Sequence, residues 1–499
     1  MKVKQKSVCQ NCRTRKLGCD GKRPECSQCV LSGHKCDGYR TDWKFISHTP
    51  MISSISQQHN QAALVRKESQ ETILRADQQD SPTGPIPLQL YLNPLVVCNF
   101  MELITKSFVP QNDGIIQMCN SDYMEPQICG SWVKVLSSLP YLNTPTLVLP
   151  RAVTALAASL LSLRSKSCWT CSETYHSAIR TLRESFCMNC RSSSLEQIPA
   201  IMCLTLVELM IPDSAAAIAS HIQAVGLLLQ AHGPSMCSFG VLHTLFLGFR
   251  SLLIMQACRS RQPTFLASQL WIDTPFSRLS PSLMQSLLNE VVNLPSLLHQ
   301  SDCVLGSLVQ SDLSDINKAI CSFINVLVRL DEWEAAVQQG GKPCYWRCGY
   351  VSQEVESRAS DDTCLGLLWY PNVTMANAFT NLWAFRIVCL SELKRFVAHF
   401  LGRDNEQPIW TRQLDMNYDD IQAQIISFAK NISLSMVYLL QDEMGLFGPA
   451  STLFPLHVTY QAYKSLDPRQ QVDIAYLENI VDRLDQKGMK SARALVFGH

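Results

Sequence analysis

Six cysteines within the first forty residues constrain this chain more than anything else in it. They stand at Cys9, Cys12, Cys19, Cys26, Cys29 and Cys36, in the pattern C-x2-C-x6-C-x6-C-x2-C-x6-C. The pattern is a duplication, because adding 17 to each of the first three positions gives the last three. Each half sets two thiols across a tight turn and a third about two helical turns further on. So short a segment has no room for an apolar core, and another source of folding energy is required. Paired C-x2-C motifs in a reducing compartment are zinc ligands before they are disulfides. Two tetrahedral zinc ions with separate ligands would need eight thiolates, and six are present. Two sulfurs would then bridge, giving one binuclear cluster holding two zinc ions. A single four-thiolate zinc with two spare cysteines, or a redox dithiol, are the alternatives.

The reducing compartment is itself an expectation. No apolar stretch follows the lysines at the start of the sequence, so no signal peptide is expected, and the 22 cysteines should be reduced. The most apolar run, Val241 to Cys258, is interrupted by His243 and Arg250. A buried helix explains it better than a membrane span, and no membrane partner is expected.

Whole-chain charge is only +1 and predicts no class of partner, but the average conceals an asymmetry. Residues 1–40 carry ten basic side chains against three acidic ones, a net +7, so residues 41–499 carry −6. The cations also divide unevenly between the two halves of the repeat. Arg13, Arg15 and Lys16 lie between Cys12 and Cys19 with no acid among them, whereas Val30-Leu31-Ser32-Gly33-His34-Lys35 fills the equivalent interval. A surface that meets phosphates needs cations, so the first half is expected to lie against nucleic acid and the second to buttress it. Lys22 and Arg23, in the loop joining the halves, and Arg13 suit phosphate contacts.

The segment Val8 to Cys36 resembles the fungal binuclear zinc-cluster (six-cysteine) transcription factors at every ligand position, and Pro24 stands where that family usually has proline. The resemblance implies that Cys9 and Cys26 are the bridging pair. It also implies that the partner is double-stranded DNA with CGG-type half-sites, read in the major groove from the end of the first short helix. Those positions fall on Arg15 and Lys16, whose donors suit guanine O6 and N7. Gly18 departs from the pattern, since many relatives carry a basic residue there. A nuclear regulator of RNA polymerase II genes follows, an activator on family grounds, acting with the transcription machinery and controlling a biosynthetic gene cluster in relatives of this shape. A zinc-sensing or thiol-redox protein is the alternative, and it leaves the charge asymmetry between the halves unexplained.

Residues 41–90 are polar and rich in Ser and Gln, closing on Pro82, Gly84, Pro85 and Pro87, which reads as a flexible, disordered linker. Ile52, Ile55, Ala62 and Ile73 fall on heptad-like positions, but His59, Arg66 and Ser69 break the seam. Only a weak coiled coil is expected there, and a homodimer stays open. From residue 91 the period becomes helical. Tyr175, Ile179, Leu182 and Phe186 make one stripe; Ile218, Ile222, Val225 and Leu229 make another, ended by Gly233-Pro234. Phe379, Trp383, Ile387, Leu390, Leu393, Val397 and Phe400 make a third over about six turns, and Leu477, Ile480, Val481 and Leu484 a fourth. Strand alternation is scarce. The stretches Tyr175 to Phe186, His221 to Pro234, Phe454-Pro455-Leu456 and Gly488 to Leu495 loosely resemble the helical regulatory region of the same fungal regulators.

A second cysteine set, Cys168, Cys171, Cys187 and Cys190, passes for a four-thiolate site by spacing alone. The periodic helix between its two pairs should hold them apart, and core cysteines are the expectation. No catalytic motif is present; Ser391 and Lys394 fit S-x-x-K only inside the third helical stripe. The expected protein is mainly α and not an enzyme. A two-zinc DNA-binding domain spans residues 1–40, a linker 41–90 and a large all-α regulatory domain 91–499.

Overall fold

The chain divides into two compact units, Met1–Ser81 and Pro82–His499. The structure is a computed structural model and describes residues 9–15, 19–20, 26–33, 36, 94–110, 129–139, 147–164, 169–187, 194–306, 313–341, 343–348, 366–401, 418–465 and 471–498. The linker of residues 41–90, with Ile52, Ile55, Ala62 and Ile73, lies outside the described residues.

Among the described residues of the first unit are two short helices, α1 (Gln10–Thr14) and α2 (Ser27–Leu31). The buried apolar set described around them consists of cysteines: Cys9, Cys12, Cys26 and Cys29, with Cys19 and Cys36 half-buried beside them.

The described residues of the second unit are helical apart from one short strand pair. In chain order it contains α3 (Pro94–Phe108), a 3-10 segment (Cys129–Ser138), α4 (Val148–Arg164), α5 (Trp169–Cys187), α6 (Ser194–Leu209), α7 (Ala215–His232) and α8 (Gly240–Ser260). There follow α9 (Gln269–Asp273), α10 (Leu283–Val291), α11 (Leu294–Gly306), α12 (Leu313–Gln338) and α13 (Val373–Leu401). The chain ends in α14 (Tyr418–Leu439), α15 (Phe447–Ser451), α16 (Leu453–Lys464), α17 (Gln471–Gln486) and α18 (Ala492–Phe497). One continuous apolar core runs through all of this unit.

α13 is the axis of that core. Its 29 residues make a rod about 43 Å long, packed against α14, α16, α12 and α10. Phe379, Trp383, Ile387, Leu390, Leu393 and Val397 are all buried, as their spacing requires; the Phe400 side chain lies outside the described residues. Several buried polar side chains on this helix are hydrogen-bonded, although Thr374 Oγ1, Asn381 Oδ1 and Arg386 Nε have no partner among the described residues. Asn381 donates to the Asn377 carbonyl at 2.8 Å, and the Arg386 guanidinium holds Asp331 at 2.5 Å and Glu334 at 2.6 Å on α12. α8 and α13 are both long and apolar enough to cross a membrane, yet 61% and 89% of their apolar windows are buried within the protein. On α8 the Arg250 guanidinium is fully buried and donates to Gln285 Oε1 at 3.0 Å and Asn289 Oδ1 at 2.6 Å. That is the bonding of a core helix.

The α7 stripe is buried in full, and the helix ends at Gly233, whose φ of +80° favours a residue without Cβ. Leu477, Ile480, Val481 and Leu484 on α17 are likewise buried. One expectation is corrected. Phe186 is 46% exposed, because α5 turns the narrower face of Thr174, Ala178 and Leu182 inward, where it packs against α4 and α6. Two three-residue strands, β1 (Trp346–Cys348) and β2 (Leu367–Trp369), pair antiparallel with Trp346 opposite Trp369. Strands of that length are too short to leave an alternation signal in the sequence.

Candidate metal centre

The duplication in the sequence becomes a repeated piece of backbone. Cys9 precedes α1 and its Sγ accepts the Cys12 amide at 3.4 Å; Cys26 precedes α2 and its Sγ accepts the Cys29 amide at 3.4 Å. Each half therefore opens with a cysteine that caps its own helix and brings the second thiol to the same side. The Cys9 amide in turn donates to Cys19 Sγ at 3.4 Å, folding the third thiol back onto the first. Asp20, just after the first half, accepts the Ser27 amide at 3.1 Å and so caps the start of α2. That carboxylate ties one half to the other, and nothing in the cysteine spacing announces it.

The six sulfurs fall into two overlapping sets. Cys9, Cys12, Cys19 and Cys26 have their Sγ atoms within 4.8 Å of one another, and so do Cys9, Cys26, Cys29 and Cys36. Cys9 and Cys26 belong to both. The Sγ separations are 3.5 Å for Cys9–Cys26, 3.6 Å for Cys12–Cys26 and 3.7 Å for Cys9–Cys29. A tetrahedral zinc with Zn–S near 2.3 Å has edges of about 3.8 Å, so two tetrahedra sharing the Cys9–Cys26 edge fit this donor set. Burial pushes the Cys12 thiol up to about 12 and raises Cys29 as well. Crowded buried thiols keep their protons unless a strong cation displaces them, so metal loading must release protons. When bound, zinc supplies the thiolate bonds that stand in for the missing apolar core.

The DNA-contact candidates are less completely placed. Arg15 follows α1, is exposed, and donates to Ser32 Oγ at 3.3 Å. Ser32 is the residue 17 positions on, so cation and hydroxyl occupy equivalent places in the two halves. Arg13 lies in α1, with its side chain outside the described residues; Lys16, Gly18, Lys22 and Arg23 lie outside them altogether.

The second cysteine set forms no centre among the described residues. α5 carries Cys171 and Cys187 sixteen residues apart, about 24 Å along the helix. The Cys171 thiol is half-buried and donates to the Ala158 carbonyl at 3.1 Å, while Cys187 is exposed. The expectation of core cysteines therefore fails for Cys187 and holds only in part for Cys171; Cys168 and Cys190 lie outside the described residues. Separation by the helix is the decisive point. Replacing Cys168 and Cys190 together with serine should leave the zinc content of the full-length protein unchanged, as read by elemental analysis.

No curated protein and no solved structure matches the chain. Residues 7–44 match the model of the fungal Zn(2)-Cys(6) binuclear cluster domain. The paired tetrahedral sulfur sets and that match agree: residues 7–44 are a fungal Zn(2)-Cys(6) binuclear cluster domain, a kind of domain that binds two zinc ions and serves DNA-binding transcription factors.

Proposed function

We propose that this protein is a nuclear transcription factor that reads CGG-type half-sites, with its zinc ions held by Cys9, Cys12, Cys19, Cys26, Cys29 and Cys36. Arg15 and Lys16 reach guanine edges in the major groove, and Arg13, Lys22 and Arg23 hold phosphates. The observation that carries this reading is the inequality of two halves that share one backbone plan. Where the first half presents Arg15, exposed, the second presents Ser32. Metal storage has no use for such a difference, whereas a domain that lays one half against a polyanion does. The helical unit carries the regulatory output, as an activator working through the transcription machinery. Its target genes are those of a biosynthetic cluster. The division into a head of residues 1–40, a linker of 41–90 and a regulatory body of 91–499 rests on the change from a cysteine-only core to one large apolar core. The protein is a regulator rather than an enzyme.

The test is a comparison of two alanine variants on two DNAs. Lys16→Ala should cost about 1–3 kcal/mol on a duplex containing CGG and much less on a duplex lacking it. Lys22→Ala should weaken both about equally and reduce the salt dependence by roughly one unit of slope. Equal losses for Lys16→Ala on both duplexes would confine it to the backbone and remove the proposed readout.

A further inference from the structure

The helical unit contains a cavity of about 150 Å³ between α6, α7, α8, α13, α16 and α18. Its walls are mostly apolar: Met202, Leu206, Ile222, Phe249, Met284 and Phe454 all face it. An apolar cavity of this size is ample for a small hydrocarbon group and poor at holding water. Thr205, Ser251, Asn377 and Ser451 add small polar groups to the wall, and the longer polar side chains on it are Gln256, Arg259 and His457. Gln256 and Arg259 lie one turn apart on α8 and share a face.

Arg259 is the unusual member. It is half-buried, and no carboxylate or other hydrogen-bond partner engages it among the described residues. The two buried guanidiniums among the described residues of this unit are answered: Arg250 by Gln285 and Asn289, Arg386 by Asp331 and Glu334. Its place in the last turn of α8 suits a cation on dipole grounds. That accounts for the charge but not for its position on an apolar cavity. Across the cavity the His457 Nδ1–H donates to the Val496 carbonyl at 2.9 Å, which leaves Nε2 as the ring's other polar atom. Burial, and then the nearby Arg259 charge, lower the His457 pKa, so the ring is neutral and contributes no competing positive charge. Burial likewise lowers the Arg259 pKa, a sign that its charge is under-solvated.

We propose that this cavity is a binding site for a small amphipathic carboxylate, its apolar tail among Met202, Leu206, Phe249 and Met284 and its carboxylate on Arg259. A guanidinium donates two parallel hydrogen bonds to a carboxylate, and an incoming anion would supply the partner the protein withholds. The tail fills the apolar volume and excludes water from the pair. Such a site gives the helical unit a chemical input, and it is independent of how the head reads DNA.

Full-length protein, titrated with octanoate and separately with octanol in the absence of DNA, tests the proposal by calorimetry and by thermal shift. Octanoate should bind and raise the unfolding temperature, and octanol should bind about tenfold more weakly. Arg259→Gln removes the charge at a position with no hydrogen-bond partner among the described residues and should fold normally. It should weaken octanoate about tenfold and leave octanol unchanged. Leu252→Trp, at a half-buried lining position, should fill the cavity and reduce both. The proposal is overturned if octanoate fails to bind the folded wild-type protein at millimolar concentration. It is equally overturned if Arg259→Gln leaves octanoate and octanol as they are in the wild type, or if folded Leu252→Trp binds both undiminished.

Discussion

Cys26→Ala should strip both zinc ions of proper coordination, unfold residues 1–45 and abolish sequence-specific DNA binding, whereas Cys36→Ala should disturb mainly one ion. The difference follows from membership of the two sulfur sets. Cys26 belongs to both and Cys36 only to the second, within a separation of 4.8 Å. Losing Cys26 leaves each tetrahedron with three protein sulfurs, while losing Cys36 leaves the first tetrahedron whole. The magnitude is large because, among the described residues, the buried apolar set of the head is cysteine alone, and structural zinc in units of this size contributes roughly 10–16 kcal/mol at neutral pH. Elemental analysis of purified protein checks the stoichiometry, and chelation followed by circular dichroism of residues 1–45 checks the coupling to folding. One zinc per wild-type chain, or two retained by Cys26→Ala, would show that the shared edge is not a bridge.

Arg261→Ala should destabilise the helical unit by roughly 3 kcal/mol. Arg261 closes α8 with a left-handed backbone, φ +55°, and sends its guanidinium to two carboxylates on other helices. It meets Asp302 on α11 at 2.6 Å and Glu392 on α13 at 2.8 Å, and donates to the Leu298 carbonyl at 3.2 Å. Glu392 is only 8% exposed and also accepts from Ser301 Oγ at 2.7 Å. Without Arg261 its charge would stay buried, with Arg395 the remaining cation at 3.4 Å. Alanine keeps the Cβ that the left-handed backbone already tolerates, so the change isolates the side chain. Arg395→Ala, at a position 46% exposed, should cost about 0.5 kcal/mol by comparison. Urea denaturation of the two variants measures the difference, and equal small losses would show that the network contributes little. The same network sets an acid limit. Burial pushes the Asp302 carboxyl up, but its bonds to Arg261 and Arg395 outweigh burial and leave it below the ordinary 3.8. Its contribution is therefore present above that value and is lost as pH falls through the lower folded one.

The metal centre was legible in the sequence because it is a local object. Cysteine spacing dictates which thiols fall on one side of a turn, and the 17-residue repeat carries the pairing from one half to the other. The charge asymmetry was legible for the same reason, since it needs only the residues between ligands. The stripes on α7, α13 and α17 were equally readable, because each is broad, apolar and continuous over several turns. The reading slipped on α5, where large apolar residues suggested one face and close packing against α4 and α6 selected a neighbouring one with smaller side chains. Size of side chain is a property of the sequence; which size a neighbour accepts is not.

By itself, then, the sequence determined the zinc-ligand spacing, the basic first half and the helical class of the body, all of which depend on residues within a few turns of one another. Tertiary structure alone decided that Asp20 caps the second half of the cluster, that Arg261 joins three helices, and that Arg259 faces an apolar cavity with no carboxylate to answer it among the described residues. The last two join residues from segments far apart along the chain, while Asp20 reaches across the seven residues to Ser27. Whether a charge is paired, capped or left facing a cavity depends on which distant segment packs beside it, and no periodicity within a single helix records that neighbour.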